Sequence, residues 1–352
     1  MSRQLKFSQA INEAIDLSLA KDPSVYIMGL GVPDPKGIFG STLGLQQKFG
    51  SHRVMDMPTS ENGMTGIAIG SALVGMRPIL THQRIDFALL SVEQIVNQAA
   101  KWHYMFGGQA SVPIVIRMII GRGWGQGAQH SQSLQAWFAH IPGLKVVMPA
   151  TPHDAKGLLI SSIEDNNPVI FIEHRWLYNI IGDVPEGVYR VPLGQSQVVR
   201  KGKDITLVAT SYMTLEAIRA AEMLAAEGVS AEVIDIRTLR PLDGETILES
   251  VRKTGHLIVA DTGWKTVGFS AEVVALVTEQ AFKDLKSAPT RIGLAESPGP
   301  STPALANHYY PCAEHIVLAA KKMLGGETNY SLLSAPASVP LDVPDASFTG
   351  PF

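Results

Sequence analysis

The chain has 352 residues, of which 45% are hydrophobic and 17% are charged, and these values predict a globular protein of two domains. A net charge of −3 argues against nucleic acid as a partner, and one cysteine, Cys312, excludes an internal disulfide and fits a reducing, cytoplasmic location. The N-terminus lacks a basic segment followed by an apolar core, and the sequence lacks an apolar run of about 18 residues, so we expect neither a secretion signal nor a membrane span.

The first half of the chain alternates short apolar runs with helical patterns. The runs lack the polar alternation of a half-exposed strand, which is typical of strands buried on both faces of a parallel sheet. This alternation predicts an α/β fold. The predicted strands cover residues 24–29, 53–57, 77–82, 112–119, 145–150 and 168–174, and the predicted helices cover 7–20, 61–75, 91–106 and 153–165.

Prolines and glycines interrupt this rhythm at residues 178–202, where we place a domain boundary. A second β–α alternation starts at residue 204, and Gly228 ends its first helix as a C-cap residue. We therefore predict two doubly wound α/β domains, residues 1–185 and 195–325.

The C-terminal residues 326–352 contain four prolines and no helical period. One interpretation is a disordered tail. The other is a segment that packs on a partner subunit through Leu332, Leu333, Phe348 and Phe352.

Glu61 begins a predicted helix that is rich in small residues and nearly free of charge. A glutamate in the first turn of a helix ordinarily complements the helix dipole. However, we expect so uncharged a helix to be enclosed and closely packed, and a carboxylate at its start is costly unless it is paired or handles a proton. Position alone leaves both interpretations open.

A glycine-rich stretch, GRGWGQGAQHSQS, covers residues 121–133. Its alternate glycines match neither a phosphate-binding loop nor a dinucleotide-binding loop. The stretch is either a mobile surface loop with an incidental histidine, His130, or a loop that presents His130 for catalysis. The chain also lacks the His/Cys spacings of a transition-metal site, and the composition of residues 161–170 indicates a helix-to-strand turn.

Five segments together resemble the β subunit of the decarboxylating component of 2-oxo-acid dehydrogenases, of which pyruvate and branched-chain dehydrogenases are members and transketolase a relative. The resemblance covers residues 4–325. The segments read RVMDMPTSENGMTGIAIGSALVGMRPI, QIVNQAAKWHYMFGGQASVPIVIR, QHSQSLQAWFAHIPGLKVVMPATPHDAKGLL, DNNPVIFIEH and EVIDIRTLRPLDGETILESVRKTG.

The resemblance implies a transketolase-like pyrimidine-binding domain followed by a transketolase C-terminal-type domain, with thiamin diphosphate bound at an interface. The family's diphosphate and magnesium motif, Gly-Asp-Gly followed by Asn-Asn, does not occur in this sequence. The resemblance therefore implies that this chain holds the pyrimidine end. An α subunit, in a two-α, two-β heterotetramer, would hold the magnesium and the diphosphate, and a lipoyl acyltransferase core would accept the product.

The resemblance also implies roles for individual residues. Glu61 matches the glutamate that hydrogen-bonds a pyrimidine ring nitrogen, Phe87 matches the aromatic that packs on the pyrimidine, and Gln83 falls beside them. His130 matches the histidine near the substrate and the acyl acceptor, where it can stabilise an oxyanion or move a proton. A structural potassium ion of some members corresponds to the backbone carbonyls of Ile114, Ser162, Ile163, Asp165 and Asn167.

The sequence departs from the family at two places near the expected pocket. Leu30 and Gly31 stand where the family has acidic residues. After RPI the family usually has a glutamate and then an aromatic, whereas this chain has LTHQRIDF, which introduces Thr81, His82, Arg84 and Asp86. His82 and Arg84 would suit a polar or anionic substrate, and the alternative is neutral drift.

The residues and the resemblance together lead to three hypotheses about function. The main one is decarboxylation of a 2-oxo acid with acyl transfer to lipoamide. The alternative is a transketolase-like carboligase or ketol transferase with a polar or sugar-like acceptor, which the departures motivate. A non-catalytic scaffold is the third, against which the retained Glu61, Phe87 and His130 argue.

Overall fold

The computed structural model describes residues 2–121 and 125–326. Trp124, which would border the expected pocket, and the C-terminal tail therefore lie outside the described residues. The strands are β1 (Ser2–Lys6), β2 (Val25–Met28), β3 (Val54–Met55), β4 (Arg77–His82), β5 (Val115–Ile120), β6 (Lys145–Val147), β7 (Val169–His174), β8 (Ile181–Pro185), β9 (Gln197–Arg200), β10 (Ile205–Ala209), β11 (Ala231–Asp235), β12 (Thr238–Arg240), β13 (Leu257–Trp264) and β14 (Thr290–Leu294).

The helices surround these strands. Three 3-10 turns, at Leu89–Ser91, Arg175–Leu177 and Phe282–Asp284, and one π-helical segment, Gln94–Ala99, supplement them. The α-helices are α1 (Phe7–Lys21), α2 (Leu45–Phe49), α3 (Glu61–Leu73), α4 (Ile85–Ala88), α5 (Trp102–Met105), α6 (Gln135–Ala139), α7 (Pro152–Glu164), α8 (Tyr212–Ala226), α9 (Gly244–Thr254), α10 (Phe269–Ala281), α11 (Pro303–Tyr309) and α12 (Ala313–Met323).

A seven-stranded sheet forms the first half, in the order β12-β6-β7-β5-β4-β2-β3. Its neighbours pair in parallel except at the β12–β6 edge. Helices α1 and α7 cover one face, where the apolar side chains of Phe7, Ile11, Ile15 and Leu19 are no more than 2% exposed. Burial of each such side chain contributes about 1.5–3 kcal/mol. The predicted α/β architecture of this half is confirmed.

A five-stranded sheet forms the second half, in the order β14-β13-β10-β11-β9, in which only β9 runs antiparallel to its neighbour. Helices α8 and α12 pack on one face. The other face shares a single core with the seven-stranded sheet, because Ile116 and Met118 of β5 belong to the same buried cluster as Val208 and Val259. Gly228, with φ +84°, follows α8 as predicted.

Two predicted segments fold differently from expectation. The predicted helix 91–106 is interrupted, because a π-helical segment ends at Ala99 and only Trp102–Met105 resumes as α5. The proline-rich stretch 178–202 contains two strands, of which β8 pairs with β1 and β9 with β11. Within the described residues, none of the helices has both the length and the apolar character needed to cross a membrane.

The two halves are joined at the edge of the seven-stranded sheet. Strand β12, from the second half, pairs with β6, and Met148 N–H donates to the carbonyl of Arg237 over 2.7 Å. The Arg237 guanidinium contacts the carboxylate of Asp154 on α7 at 3.2 Å. These contacts fix the loop after β11 against the first half of the chain.

Candidate functional site

The expected site residues follow adjacent strands of the seven-stranded sheet. Leu30 and Gly31 follow β2, residues 83–87 follow β4, and Gly121 follows β5. Since β2, β4 and β5 are parallel neighbours, these segments meet at the carboxyl edge of the sheet, where ligands bind in open α/β sheets.

Glu61 lies at the first position of α3 and is 7% exposed. Within the described residues its carboxylate makes no hydrogen bond or ion pair, although the Glu61 carbonyl accepts a hydrogen bond from the Thr65 hydroxyl over 2.7 Å. The Thr65 hydroxyl also lies 2.9 Å from that of Ser91, four residues after Phe87. The start of α3 is thereby tied to the segment that carries Phe87, and it presents a carboxylate with free acceptor capacity.

Phe87 and His130 are in contact. Their ring centroids are 5.4 Å apart and their planes meet at 82°, an edge-to-face arrangement. Both residues are half-buried. The structure therefore brings together two residues that are separated by 43 positions in the chain and that sequence reasoning assigned to one pocket.

Gln83 occupies the space that is left because Gly31 stands where the family has an acidic residue. Its side-chain amide donates to the Leu30 carbonyl over 2.9 Å. A Cβ added at Gly31 would lie 2.8 Å from that amide nitrogen and 2.9 Å from the Asp34 carboxylate, and Gly31 has φ +74°. An acidic residue at this position would therefore clash with Gln83 and strain the backbone, so the two positions are coupled. Gln83 also lines a cleft of about 350 Å³ with residues 34–39.

Arg84 is only 3% exposed, and its guanidinium donates to the Gly121 carbonyl over 2.9 Å. Burial and the nearby positive charge of Arg175 lower the pKa of Arg84 to about 10. The sequence-based hypothesis was that Arg84 suits a polar or anionic substrate. In the structure its Nη1 atom contacts a backbone carbonyl, and its Nη2 atom is buried without a hydrogen-bond partner among the described residues.

Asp86 accepts a hydrogen bond from the Gln132 side chain over 2.8 Å. Burial raises the pKa of Asp86, while the bond from Gln132 and the charges of Arg84 and His130 act in the opposite direction. Sequence reasoning did not select Gln132, and its only signal was its position beside His130 in the motif.

His82 ends β4 and is 2% exposed. Its Nε2 atom is buried without a hydrogen-bond partner among the described residues, and burial lowers its pKa to about 4. A neutral, buried imidazole offers no positive charge to an anion, so the structure does not support an anion-binding role for His82. A role of His82 toward a polar substrate stays a prediction.

We expect His82→Phe to make the protein less sensitive to acid. The pKa of His82 is about 4 in the folded chain and 6.5 as its ordinary value. The unfolded state therefore binds the extra proton first, and stability is lost as the pH falls from 6.5 to 4, by about 3 kcal/mol over the whole window. Phenylalanine has a similar shape and no proton to bind. Thermal unfolding midpoints at pH 7.5, 6.0 and 5.0 measure the effect, and an equal loss in both proteins would contradict it.

The carbonyls proposed for potassium lie near the start of β7. The Arg77 guanidinium donates to the carbonyls of Ile163 and Asp165 over 3.0 and 2.9 Å. The carbonyl of Ser162 accepts from Asp165 N–H, and that of Ile114 accepts from Val169 N–H. A carbonyl has two lone pairs, so each oxygen keeps capacity for a cation. Among the described residues, no three His, Cys, Asp or Glu side chains cluster to hold a metal ion.

Helix α3 is enclosed on one face only. Thr65, Ala68, Ile69 and Ala72 are buried, but Ile67 is 60% exposed on the opposite face and Val74, which follows the helix, is 81% exposed. Among the residues that the structure describes, the predicted enclosure of this helix is therefore met on one face only, and Ile67 on the opposite face is exposed.

Known proteins share both halves of this chain. Residues 3–180 match the family model "Transketolase, pyrimidine binding domain", and residues 194–316 match "Transketolase, C-terminal domain". The acetoin:2,6-dichlorophenolindophenol oxidoreductase subunit beta of Cupriavidus necator is 46% identical, with 93% of this chain and 99% of that protein covered. The pyruvate dehydrogenase E1 component subunit beta-2, mitochondrial, of Oryza sativa subsp. japonica is 41% identical, with 91% and 86% covered.

A solved structure is similar over the same range. The "Split gene transketolase, inactive beta4 tetramer" aligns with a TM-score of 0.75 and 26% sequence identity, and 91% of this chain and 99% of that chain are covered. The likeness spans both sheets of the fold.

Proposed function

Because this chain belongs to the transketolase-like family, as a β subunit of the thiamin-diphosphate-dependent 2-oxo-acid dehydrogenases, we propose that it decarboxylates a 2-oxo acid together with an α subunit and passes the acyl group to lipoamide. The observation that supports this proposal most directly is the buried carboxylate of Glu61. It has no partner among the described residues and lies beside the segment that holds Phe87.

The site fits the aminopyrimidine of thiamin diphosphate. A planar ring can pack on Phe87, and Glu61 retains acceptor capacity for a ring N–H. When bound, thiamin diphosphate supplies a nucleophilic carbon and an electron sink. The task of Glu61 is to share a proton with the ring nitrogen in a site of low dielectric, where such a hydrogen bond is strengthened. Gln83 closes the side of the pocket next to Leu30.

His130 acts on the substrate side of the site. Its imidazole rests edge-to-face on Phe87, 5.4 Å between centroids, so a group stacked near Phe87 also lies near the imidazole. From this position His130 donates to an oxyanion that develops on the substrate or moves a proton when the acyl group leaves.

The partner is an α subunit that carries the diphosphate and magnesium motif, in a two-α, two-β assembly. The observation that supports a protein partner beside the site is the apolar face of α3, where Ile67 is 60% exposed, continued by Val74, which is 81% exposed. Ile67 lies six residues after Glu61 on the same helix, so a subunit that covers this face also lies beside the proposed cofactor pocket. A lipoyl acyltransferase core is the proposed acceptor partner.

A neutral hydroxyketone is the second candidate substrate. Two observations favour it: Leu30 and Gly31 replace acidic residues with uncharged ones, and His82 and Arg84 are buried at 2% and 3% exposure. This burial weakens the motive for the other alternative, a carboligase or ketol transferase with a polar or sugar-like acceptor. Cleavage of a compound such as acetoin would release an aldehyde where a 2-oxo acid releases carbon dioxide.

The experiment uses the chain co-expressed with its α subunit, with thiamin diphosphate and magnesium added. Pyruvate, a branched-chain 2-oxo acid and acetoin are supplied in turn. Acylation of a lipoyl domain is followed by mass spectrometry, and reduction of dichlorophenolindophenol by absorbance. We expect cofactor-dependent acylation from a 2-oxo acid. Turnover of acetoin alone would select the second candidate, and carbon–carbon bond formation with aldehydes without acylation would overturn both.

Three further proposals complete this assignment. Residues 1–185 form the pyrimidine-binding domain and residues 195–325 the C-terminal-type domain. The carbonyls of Ile163 and Asp165, which Arg77 already contacts, join those of Ile114, Ser162 and Asn167 around potassium. The protein works in the cytoplasm, which fits its single cysteine.

A further inference from the structure

Asp86 lies where the segment that carries Phe87 meets the segment that carries His130. One carboxylate oxygen, Oδ1, accepts from the Gln132 side chain over 2.8 Å. The other, Oδ2, is buried without a hydrogen-bond partner among the described residues, and the charge of the carboxylate interacts with His130. A half-buried carboxylate thus contacts Gln132, the residue two positions after His130.

The neighbours of Asp86 reach the same stretch of chain. Arg84 donates to the Gly121 carbonyl over 2.9 Å, and Phe87 contacts the His130 ring. Three residues within positions 84–87 therefore contact the stretch of chain around His130. Arg84 contacts a residue before His130, Asp86 contacts a residue after it, and Phe87 contacts the imidazole itself.

The backbone around His130 needs such anchors. Gly125 and Gly127 have φ angles of +71° and +59°, and glycines leave a chain with more accessible conformations than other residues do. Residues 125–130 belong to no helix or strand. The Asp86–Gln132 hydrogen bond is therefore a side-chain anchor two residues after His130.

We propose that Asp86 is a positioning residue for His130, which it holds through Gln132 against Phe87. The inference rests on the proposed function, because that function gives His130 its role. As a positioning residue, Asp86 acts through its hydrogen bond with Gln132 and is assigned no contact of its own with the substrate or the cofactor.

The test is a double-mutant cycle in the assembled α/β enzyme. Asp86→Ala and Gln132→Ala each remove one end of the hydrogen bond, and each is combined with His130→Ala. We expect either single variant to lower kcat about 10- to 100-fold with KM changed less than about 3-fold, since small displacements of a reacting group have effects of this size. In the His130→Ala background the same changes should lower kcat by less than about 3-fold.

Hydrogen exchange gives a second readout that does not depend on activity. Peptides covering residues 125–134 should exchange faster in Asp86→Ala and in Gln132→Ala. Glu245→Gln, which removes the charge of an exposed carboxylate bonded to Arg252 on α9, should change neither exchange nor kcat. Gln132→Ala removes the same hydrogen bond from its other end, so it keeps the test valid if Asp86→Ala fails to fold.

Two results separate the inference from the proposed function. Equal losses of kcat with and without His130, or unchanged exchange in residues 125–134, would overturn the role of Asp86 alone. If His130→Ala itself left acyl transfer intact, the role of His130 in the proposed function would be wrong, and the inference would be overturned with it.

Discussion

Glu61→Gln lowers the turnover of the assembled enzyme by at least about 100-fold, because proton transfer by a positioned group contributes about 10²- to 10⁴-fold. Glutamine keeps the size and one acceptor oxygen but cannot share a proton with a ring nitrogen. The carboxylate is 7% exposed, so solvent cannot easily replace it. The measurement is kcat for lipoyl acylation at saturating substrate and cofactor.

A structural role for Glu61 predicts a different result. A first-turn carboxylate that only complements the helix dipole contributes about 0.3–1 kcal/mol to stability and nothing specific to turnover. Thermal unfolding and thiamin diphosphate affinity of the variant should therefore be recorded beside kcat. The matched control is Glu93→Gln, because among the described residues the Glu93 carboxylate is bonded to two nearby glutamines. Asp154→Asn is not a suitable control, because Asp154 pairs with Arg237. Turnover within about 3-fold of the unaltered enzyme would contradict the assignment.

Sequence patterns predicted the fold well where the signal is local. Buried parallel strands such as β2 are continuous apolar runs because both faces are covered. Helix α3 begins at Glu61, as the predicted helix 61–75 does. Pairing of β12 with β6 was not predictable, since a three-residue strand joins a strand whose paired residues lie more than 90 positions earlier in the chain.

The site was predictable only in part, because the chemistry depends on burial and on tertiary contacts. Glu61, Phe87 and His130 were selected through family resemblance, and the structure brings Phe87 and His130 together. Charge alone suggested a ligand-binding role for His82 and Arg84, yet both are nearly inaccessible. A sequence shows that a side chain is ionisable but does not show whether it faces solvent.

A buried ion pair beneath this site carries the largest expected effect on stability. Arg117 on β5 and Glu173 on β7 are both fully buried. Two hydrogen bonds join them, at 2.6 and 2.9 Å. The Tyr178 hydroxyl donates to Glu173 over 2.6 Å, and Arg117 donates to the Ser41 hydroxyl over 3.0 Å. The network ties the two central strands to the segments that flank the carboxyl edge of the sheet.

Glu173→Leu leaves the Arg117 charge buried without its partner, so we expect a loss of about 3–5 kcal/mol in the free energy of unfolding. Replacing both members, Arg117→Met with Glu173→Leu, should restore most of that loss, since apolar residues of similar volume often substitute for a buried pair. Urea unfolding of the assembled protein measures the midpoints. Arg252→Met, which breaks an exposed pair with Glu245, should cost less than about 1 kcal/mol. If Glu173→Leu cost no more than this surface change, the pair would not hold the sheet together.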